Sequence, residues 1–388
     1  MDDQNKNLIL ASALSFIVIL VWFVLFPPPE PTPTDPNAVV SAEGQAVLPT
    51  VTDEATASTG AATSEPAANP IADAPRIAIE TDRLKGSISM LGGRIDELAL
   101  KDYRVSIDDG APIVDLLAPT DSNAPYYALY GWAPGAGLAF EQVPGPNTIW
   151  TPTSDAALSV GAPITLTWDN DAGLQFTRKI AVDKDFMFSV TQTVENKGSG
   201  TVSLAPYGIL ARHGEPQDLK NFFILHEGLV SMADGELTET DYSDMPDFDI
   251  NPNEGARAEV TQVSEQGWIG FTDHFWMTTL IPAPGPFKST AKYDERRDIY
   301  QTEAVLPTQK LAPGASATAT TQLFAGAKEW ATIRDYQKGG VDRFIDSIDW
   351  GWFFFFTKPI FAVLHYLNAL IGNMGWAIIG LTLLIKLL

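Results

Sequence analysis

Hydrophobic and polar positions follow different periods in different stretches of this chain. From Leu8 to Phe26 there are nineteen residues without a charge, about 28 Å as a helix and close to the ~30 Å hydrocarbon thickness of a bilayer. The leader before it, Asp2-Asp3-Gln4-Asn5-Lys6-Asn7, is not basic overall, and the run passes through Trp22 and Phe23 into Pro27-Pro28-Pro29. A cleaved signal peptide has a basic leader, a shorter apolar run and a small-residue cleavage site. The pattern therefore predicts an uncleaved anchor at 8–26 with residues 1–7 in the cytoplasm. Lys6 precedes the span and no Lys or Arg recurs before Arg76, so the basic flank points inward.

Residues 27–75 are rich in Pro, Ala, Thr, Ser and acids. So few large apolar side chains cannot offset chain entropy, and a disordered linker is expected. From 76 to 326 the period becomes two. Ile77 and Ile79 alternate; Ile164, Leu166 and Trp168 alternate up to the turn cluster Asp169-Asn170-Asp171-Ala172-Gly173, after which Leu174 and Phe176 resume. Phe186, Phe188, Val190 and Val194 repeat the pattern up to Glu195-Asn196-Lys197-Gly198, and Trp268 to Ile281, Tyr300 to Leu306 and Ala317 to Phe324 read alike. Many short strands punctuated by Gly and Pro predict a large antiparallel sandwich. Over 327–348 Trp330, Ile333, Tyr336, Phe344, Ile345 and Ile348 recur at helical spacing around Gly339-Gly340, predicting one or two connecting helices.

The last forty residues change character again. Asp349-Trp350-Gly351-Trp352 and four phenylalanines, Phe353 to Phe356, have the composition of a membrane–water interface. Pro359 to Leu370 fits one helix with proline in its first turn. Lys358, His365 and Asn368 form a narrow polar stripe on an otherwise apolar surface. Residues 349–372 are thus expected to be an interfacial amphipathic helix with Trp350, Trp352 and Lys358 as its anchors; the competing reading is a core helix of a soluble domain. Residues 373–388 contain one charge, Lys386. A span needs roughly 20 apolar residues, so the chain is expected to stop within a second membrane helix.

Composition narrows the chemistry. Acidic residues outnumber basic ones 48 to 25, for a net charge of −23, which argues against nucleic acid as a partner. There is no cysteine, which excludes disulfides, thiolate metal sites and thiol nucleophiles. Asp247, Asp249 and Asn251 have the spacing that opens a calcium loop, but Pro252 stands where glycine is needed and Ala258 where the bidentate glutamate belongs. The four histidines, His213, His226, His274 and His365, form no metal pair at helical spacing. His213 with Glu215, or His226 with Glu227, would be the acid–base candidates of a sugar-epimerising enzyme. Gly92-Gly93 and Gly339-Gly340 are breaks, since neither precedes the Lys and hydroxyl of a phosphate loop. No catalytic residue, metal or cofactor is expected.

Asp349-Trp350-Gly351-Trp352, Lys358-Pro359, Gly372-Asn373-Met374-Gly375-Trp376 and the run to Lys386 resemble the start of the membrane core of the YidC/Oxa family of membrane protein insertases. Upstream, Gly92-Gly93-Arg94-Ile95, Gly267-Trp268-Ile269-Gly270 with Phe275, and Ile281-Pro282 look like family positions. The order of parts is that of Gram-negative members. The resemblance implies a membrane-anchored, mainly β chain: an N-terminal transmembrane helix, a disordered linker, a periplasmic β-supersandwich similar in fold to galactose mutarotases, then short helices, the interfacial helix and the start of a helical membrane core. It implies no enzyme, but an inner-membrane insertase and chaperone for nascent membrane proteins, working alone or with Sec translocon components in the lipid bilayer, and with ribosomes through parts beyond Leu388. By position Lys386 matches the arginine of the family's substrate groove. Lysine keeps the charge but not the bidentate fork, and its alternative is a residue snorkelling to the headgroups. The rival class is a membrane-anchored periplasmic binding protein whose β domain holds a carbohydrate or a Sec component.

Overall fold

The computed structural model describes residues 74–216, 219, 225–351 and 353–387. The expected first span, nearly all of the linker, and Trp352 lie outside the described residues. Among the described residues, antiparallel strands form two sheets. The first runs, in spatial order, Arg76–Glu80, Leu84–Ser89, Arg94–Arg104, Tyr126–Pro134, Val202–His213, Ile299–Val305, Phe287–Asp294, Ala256–Val263 and Ile250–Asn251. Ile113–Leu117 joins it on Arg94–Arg104, and Gln309–Leu311 on Val202–His213. The second runs Glu236–Asp241, Gly228–Ala233, Gly267–Thr272, Trp276–Pro282, Ser316–Ala327, Met187–Asn196, Leu174–Val182, Ile164–Asp169 and Thr151–Pro152. Both sheets end in strands that are two residues long or charged.

Alternating positions build the core between the sheets. Ile164 and Leu166 pack there with Leu174, Phe176, Ile180, Val190, Val194 and Leu323. The stretch Trp268 to Ile281 divides into two strands, because Asp273-His274-Phe275 turns the chain between Thr272 and Trp276. Tyr126–Pro134 and Val202–His213 show little alternation because the central strands of the first sheet are buried on both faces. Their outward-facing residues, among them Tyr127, Leu129, Tyr207 and Ile209, form a second buried cluster.

Arg178 crosses the core fully buried. It donates to the carbonyls of Gly92 (2.9 Å), Gly93 (3.0 Å) and Tyr130 (2.5 Å), and its guanidinium lies 4.3 Å from the Trp150 ring. Burial pushes its pKa down to about 10. Gly93 has φ of +61°, and a Cβ there would stand 2.5 Å from Arg178 Nη1. The break at Gly92-Gly93 is thus a left-handed turn whose carbonyls solvate a buried cation.

After the last strand come α1 (Trp330–Lys338), a 3-10 turn at Phe344–Ser347, α2 (Phe354–Ile371) and α3 (Met374–Leu387). Residues expected to be connectors are also core. Ile333 and Phe344 are fully buried in the main cluster, with Phe344 stacked edge-on against Trp268 and Phe324. α2 begins five residues ahead of Pro359, since Thr357 N donates to Phe353 O and Phe356 N to the same carbonyl. Proline inside this helix costs one donor to the preceding turn, which five further helical residues ahead of it outweigh. Gly372, at φ +73°, closes α2, and the Asn373 side chain accepts from Trp376 N at the start of α3.

Candidate functional site

The helices α2 and α3 make a hairpin whose root is held by charge. Gly339-Gly340 ends α1 and lets the chain double back over the second sheet, where Trp268 Nε1 donates to Asp342 O at 2.9 Å. The 3-10 turn then brings Asp346 into a position only 9% exposed. Its Oδ2 accepts from Arg343 Nε at 2.7 Å and its Oδ1 from Lys358 Nζ at 2.5 Å, so one carboxylate pairs with two cations from opposite sides of the bend. Charge-assisted bonds of this length are the strong ones.

Aromatic packing completes the seat. Trp350 donates from Nε1 to Ile345 O at 2.9 Å and packs edge-on against Phe361. Lys358 Nζ lies 5.9 Å from the Trp350 ring and 5.4 Å from that of Phe354. Trp330, in the first turn of α1, meets Phe361 at 5.7 Å and His365 at 4.6 Å. The polar stripe of α2 therefore faces the protein through Lys358 and His365, while Phe353 to Phe356, Tyr366 and Leu370 stay exposed.

A second set of charges holds the chain just before the bend. Asp349 Oδ2 accepts from His226 N (2.9 Å) and its Oδ1 from Gly351 N (2.8 Å). Nearby, Lys328 Nζ donates to Thr272 Oγ1 at 2.8 Å. Burial pushes the Lys328 pKa down to about 8, against the opposing pull of Asp273, Asp349, Glu227 and Glu239. Burial also raises the Glu239 pKa, against the opposing pull of His226 and Lys328. The cluster carries more charge than its low-dielectric setting favours.

Trp350 and Lys358 thus meet at the root of the hairpin, paired as no sequence motif indicated. Asp346, Arg343, His226 and Lys328 were not legible as partners, because each contacts a residue on another element. Lys386 is elsewhere, exposed near the end of α3, and no carboxylate among the described residues pairs with it. It lies eleven residues beyond Gly375, about 17 Å of helical rise. α2 is long and apolar enough, by length and composition, to cross a membrane; α3 is a shorter apolar helix. Ala377 and Leu381 are the buried positions of α3, and Gly380 faces Leu367 across the hairpin.

Of the acid–base pairs suggested by adjacency, the His226 ring does not turn to Glu227. His226 has Nδ1 at 2.8 Å from Asp241 Oδ1 and Nε2 at 2.7 Å from Leu229 O, so both ring nitrogens are engaged away from Glu227. Glu215 accepts from Tyr300 OH at 3.3 Å. The acidic loop around Asp247 holds no calcium-type ligand set, and no group of three or more His, Asp or Glu among the described residues is arranged to hold a metal.

Residues 76–363 match the family model of the YidC periplasmic domain. Along its whole length the chain is 62% identical to a membrane protein insertase YidC of Ruegeria pomeroyi and 61% identical to one of Roseobacter denitrificans. It spans 64% of the length of each of these curated relatives. Among solved structures it is similar to a galactose mutarotase related enzyme of Lactobacillus acidophilus (10% identity, TM-score 0.44, covering 65% of this chain and 97% of that one). It is also similar to a putative aldose 1-epimerase of Escherichia coli K12 (14% identity, TM-score 0.40, covering 65% and 98%). Since the family model takes in the sandwich, α1 and the hairpin root together, the chain belongs to the family of the YidC periplasmic domain.

Proposed function

We propose that the protein carrying this chain is a membrane protein insertase and chaperone of the inner membrane, with the sandwich in the periplasm. The observation that carries the reading is an exposed apolar hairpin, with Lys386 the one charge of α3, attached by an ionic root to a YidC-type periplasmic domain. The names of the relatives support the same activity. In this reading residues 8–26 anchor the chain, 27–75 tether it, α2 lies at the interface and α3 begins the membrane core. Lys386 lines a wet groove that receives the polar flank of a nascent segment, lowering the cost of moving that flank through low dielectric. Substrates are nascent membrane proteins, and the Sec translocon and ribosome are assigned as partners on the same family reading. No covalent step and no cofactor are required.

The test is complementation of a strain depleted of its own insertase, scored beside protein abundance and using a protein of the relatives' full length. Lys386→Arg is expected to complement, while Lys386→Leu is expected to insert dependent substrates poorly at unchanged abundance. Equal complementation by Lys386→Leu would make the residue a snorkelling anchor and remove it from the groove.

A further inference from the structure

The apolar surface at the root of the hairpin does not stop at the helices. The strand Arg94–Arg104 ends beside α1: Tyr103 packs edge-on against Trp276 at 5.1 Å, and its hydroxyl donates to Glu329, the residue before α1. In sequence the alternation Tyr103, Val105, Ile107 continues past the last paired residue, so an apolar stripe runs off the end of the sheet. Val105 is 63% exposed and Ile107 completely so. Their loop is not loose, since Val105 N donates to Pro112 O, Ala111 N to Asp108 O, and Ser106 Oγ to Asp108 Oδ2. The polar bonds close inward and leave the two apolar side chains pointing at nothing in the protein.

Phe275 stands at the same end. It is 57% exposed, packs against Trp276, stacks on His274, and its carbonyl accepts from Lys328 N just ahead of α1. A continuous line of contacts then leads from Phe275 and Tyr103 through Glu329 and Trp330 to Phe361 and His365 of α2. Single exposed apolar residues are ordinary. An ordered loop tip and a neighbouring phenylalanine beside a lipid-facing helix make one surface.

We propose that Val105, Ile107 and Phe275 dip into the surface of the bilayer in which the hairpin is seated, so that the sandwich itself makes a lipid contact; this rests on the membrane seating of α2 and α3 given above. The occupant is a zwitterionic phospholipid surface. Asp108 and Asp109 follow Ile107 directly, and with a net charge of −23 they disfavour an anionic one. Insertion is shallow: the Val105, Ile107 and Phe275 side chains enter the interfacial layer while the aspartates stay in water.

The chain has no cysteine, so single cysteines label cleanly. The full chain, reconstituted into phosphatidylcholine vesicles, is labelled with an environment-sensitive fluorophore at Ile107→Cys, Phe275→Cys, Tyr366→Cys on α2, or Ser199→Cys in the distant turn after Met187–Asn196. The expected result is blue-shifted emission, quenched by spin-labelled lipid, at 107, 275 and 366, and neither at 199. Quenching at 366 with 107 and 275 behaving like 199 overturns the lipid contact of the sandwich while leaving the seating of α2 intact. Absence of quenching at all three positions overturns both. Quenching at 107 and 275 without 366 supports the contact and removes α2 from the membrane. Val105→Asp should abolish the signal at 107 without lowering the melting temperature of the chain, which separates lost insertion from lost folding.

Discussion

Asp346 holds two cations, and its loss leaves Arg343 with the Gly235 carbonyl and Lys358 with the rings of Trp350 and Phe354, neither with a counter-charge. Arg343 and Lys358 are half and one-third exposed, so solvent screens part of the interaction and the cost of breaking it is about 1–2 kcal/mol, below that of a fully buried pair. Asp346→Asn is therefore expected to speed hydrogen exchange at the first turns of α2 by roughly 5–30-fold, with the strands of the sandwich unchanged. Unaltered exchange at Thr357 and Lys358 would show that aromatic packing alone holds the root. Lys328 gives a prediction in pH. Its folded pKa lies near 8, against an ordinary 10.5, so between those values the unfolded chain binds more protons and stability rises with pH. The penalty of the buried ammonium is fully present below about pH 8 and is relieved above it. The melting temperature of the parent should therefore rise relative to that of Lys328→Met between pH 8 and 10.5; parallel curves across that window would remove the buried charge from the account.

At the level of elements, α1 is part of the fold rather than a strut between domains. Ile333 is fully buried against the second sheet, and Ile333→Ala should cost about 2–5 kcal/mol by leaving a cavity. A fragment ending at residue 348 should accordingly melt cooperatively, whereas one ending at 326 uncovers Phe324 and Trp268 and should bind a hydrophobic dye; equal melting of the two would show α1 to be dispensable. This is also where sequence reading was strongest and weakest. Ile164–Asp169 and Leu174–Val182 were plain from alternation and the turn between them, because one face of each is wet. Val202–His213 was obscure, because burial on both faces erases the period. The helical spacing of Trp330, Ile333 and Tyr336 identified α1 but not its depth, since an apolar stripe says that a face is covered and not by what. Trp350 and Lys358 stood out by composition. Asp346, twelve residues before its partner Lys358, carried no such signal, and neither did the junction of His226 with Asp349, which joins residues 123 apart in the chain.

For the whole molecule, the prediction concerns sidedness. If 8–26 spans with its amino end inside, cysteines at Ser58 and Ser199 should both react with an impermeant thiol reagent on intact spheroplasts, and protection of both would reverse the topology. One property of the two sheets then acquires a meaning of its own. Their open margins are Arg76–Glu80, the two-residue Ile250–Asn251, Thr151–Pro152 with a proline, and Glu236–Asp241 with three acids in six residues. The first is partly closed by Leu158, which exchanges backbone bonds with Ala78 and Glu80. An unpaired strand invites any extended chain to add to it, and shortness, proline and like charge are the deterrents. In the proposed role the sandwich would stand beside half-inserted hydrophobic polypeptides and meet such chains continually. Margins of this kind would then let the sandwich stand among aggregation-prone clients without becoming the template on which they polymerise.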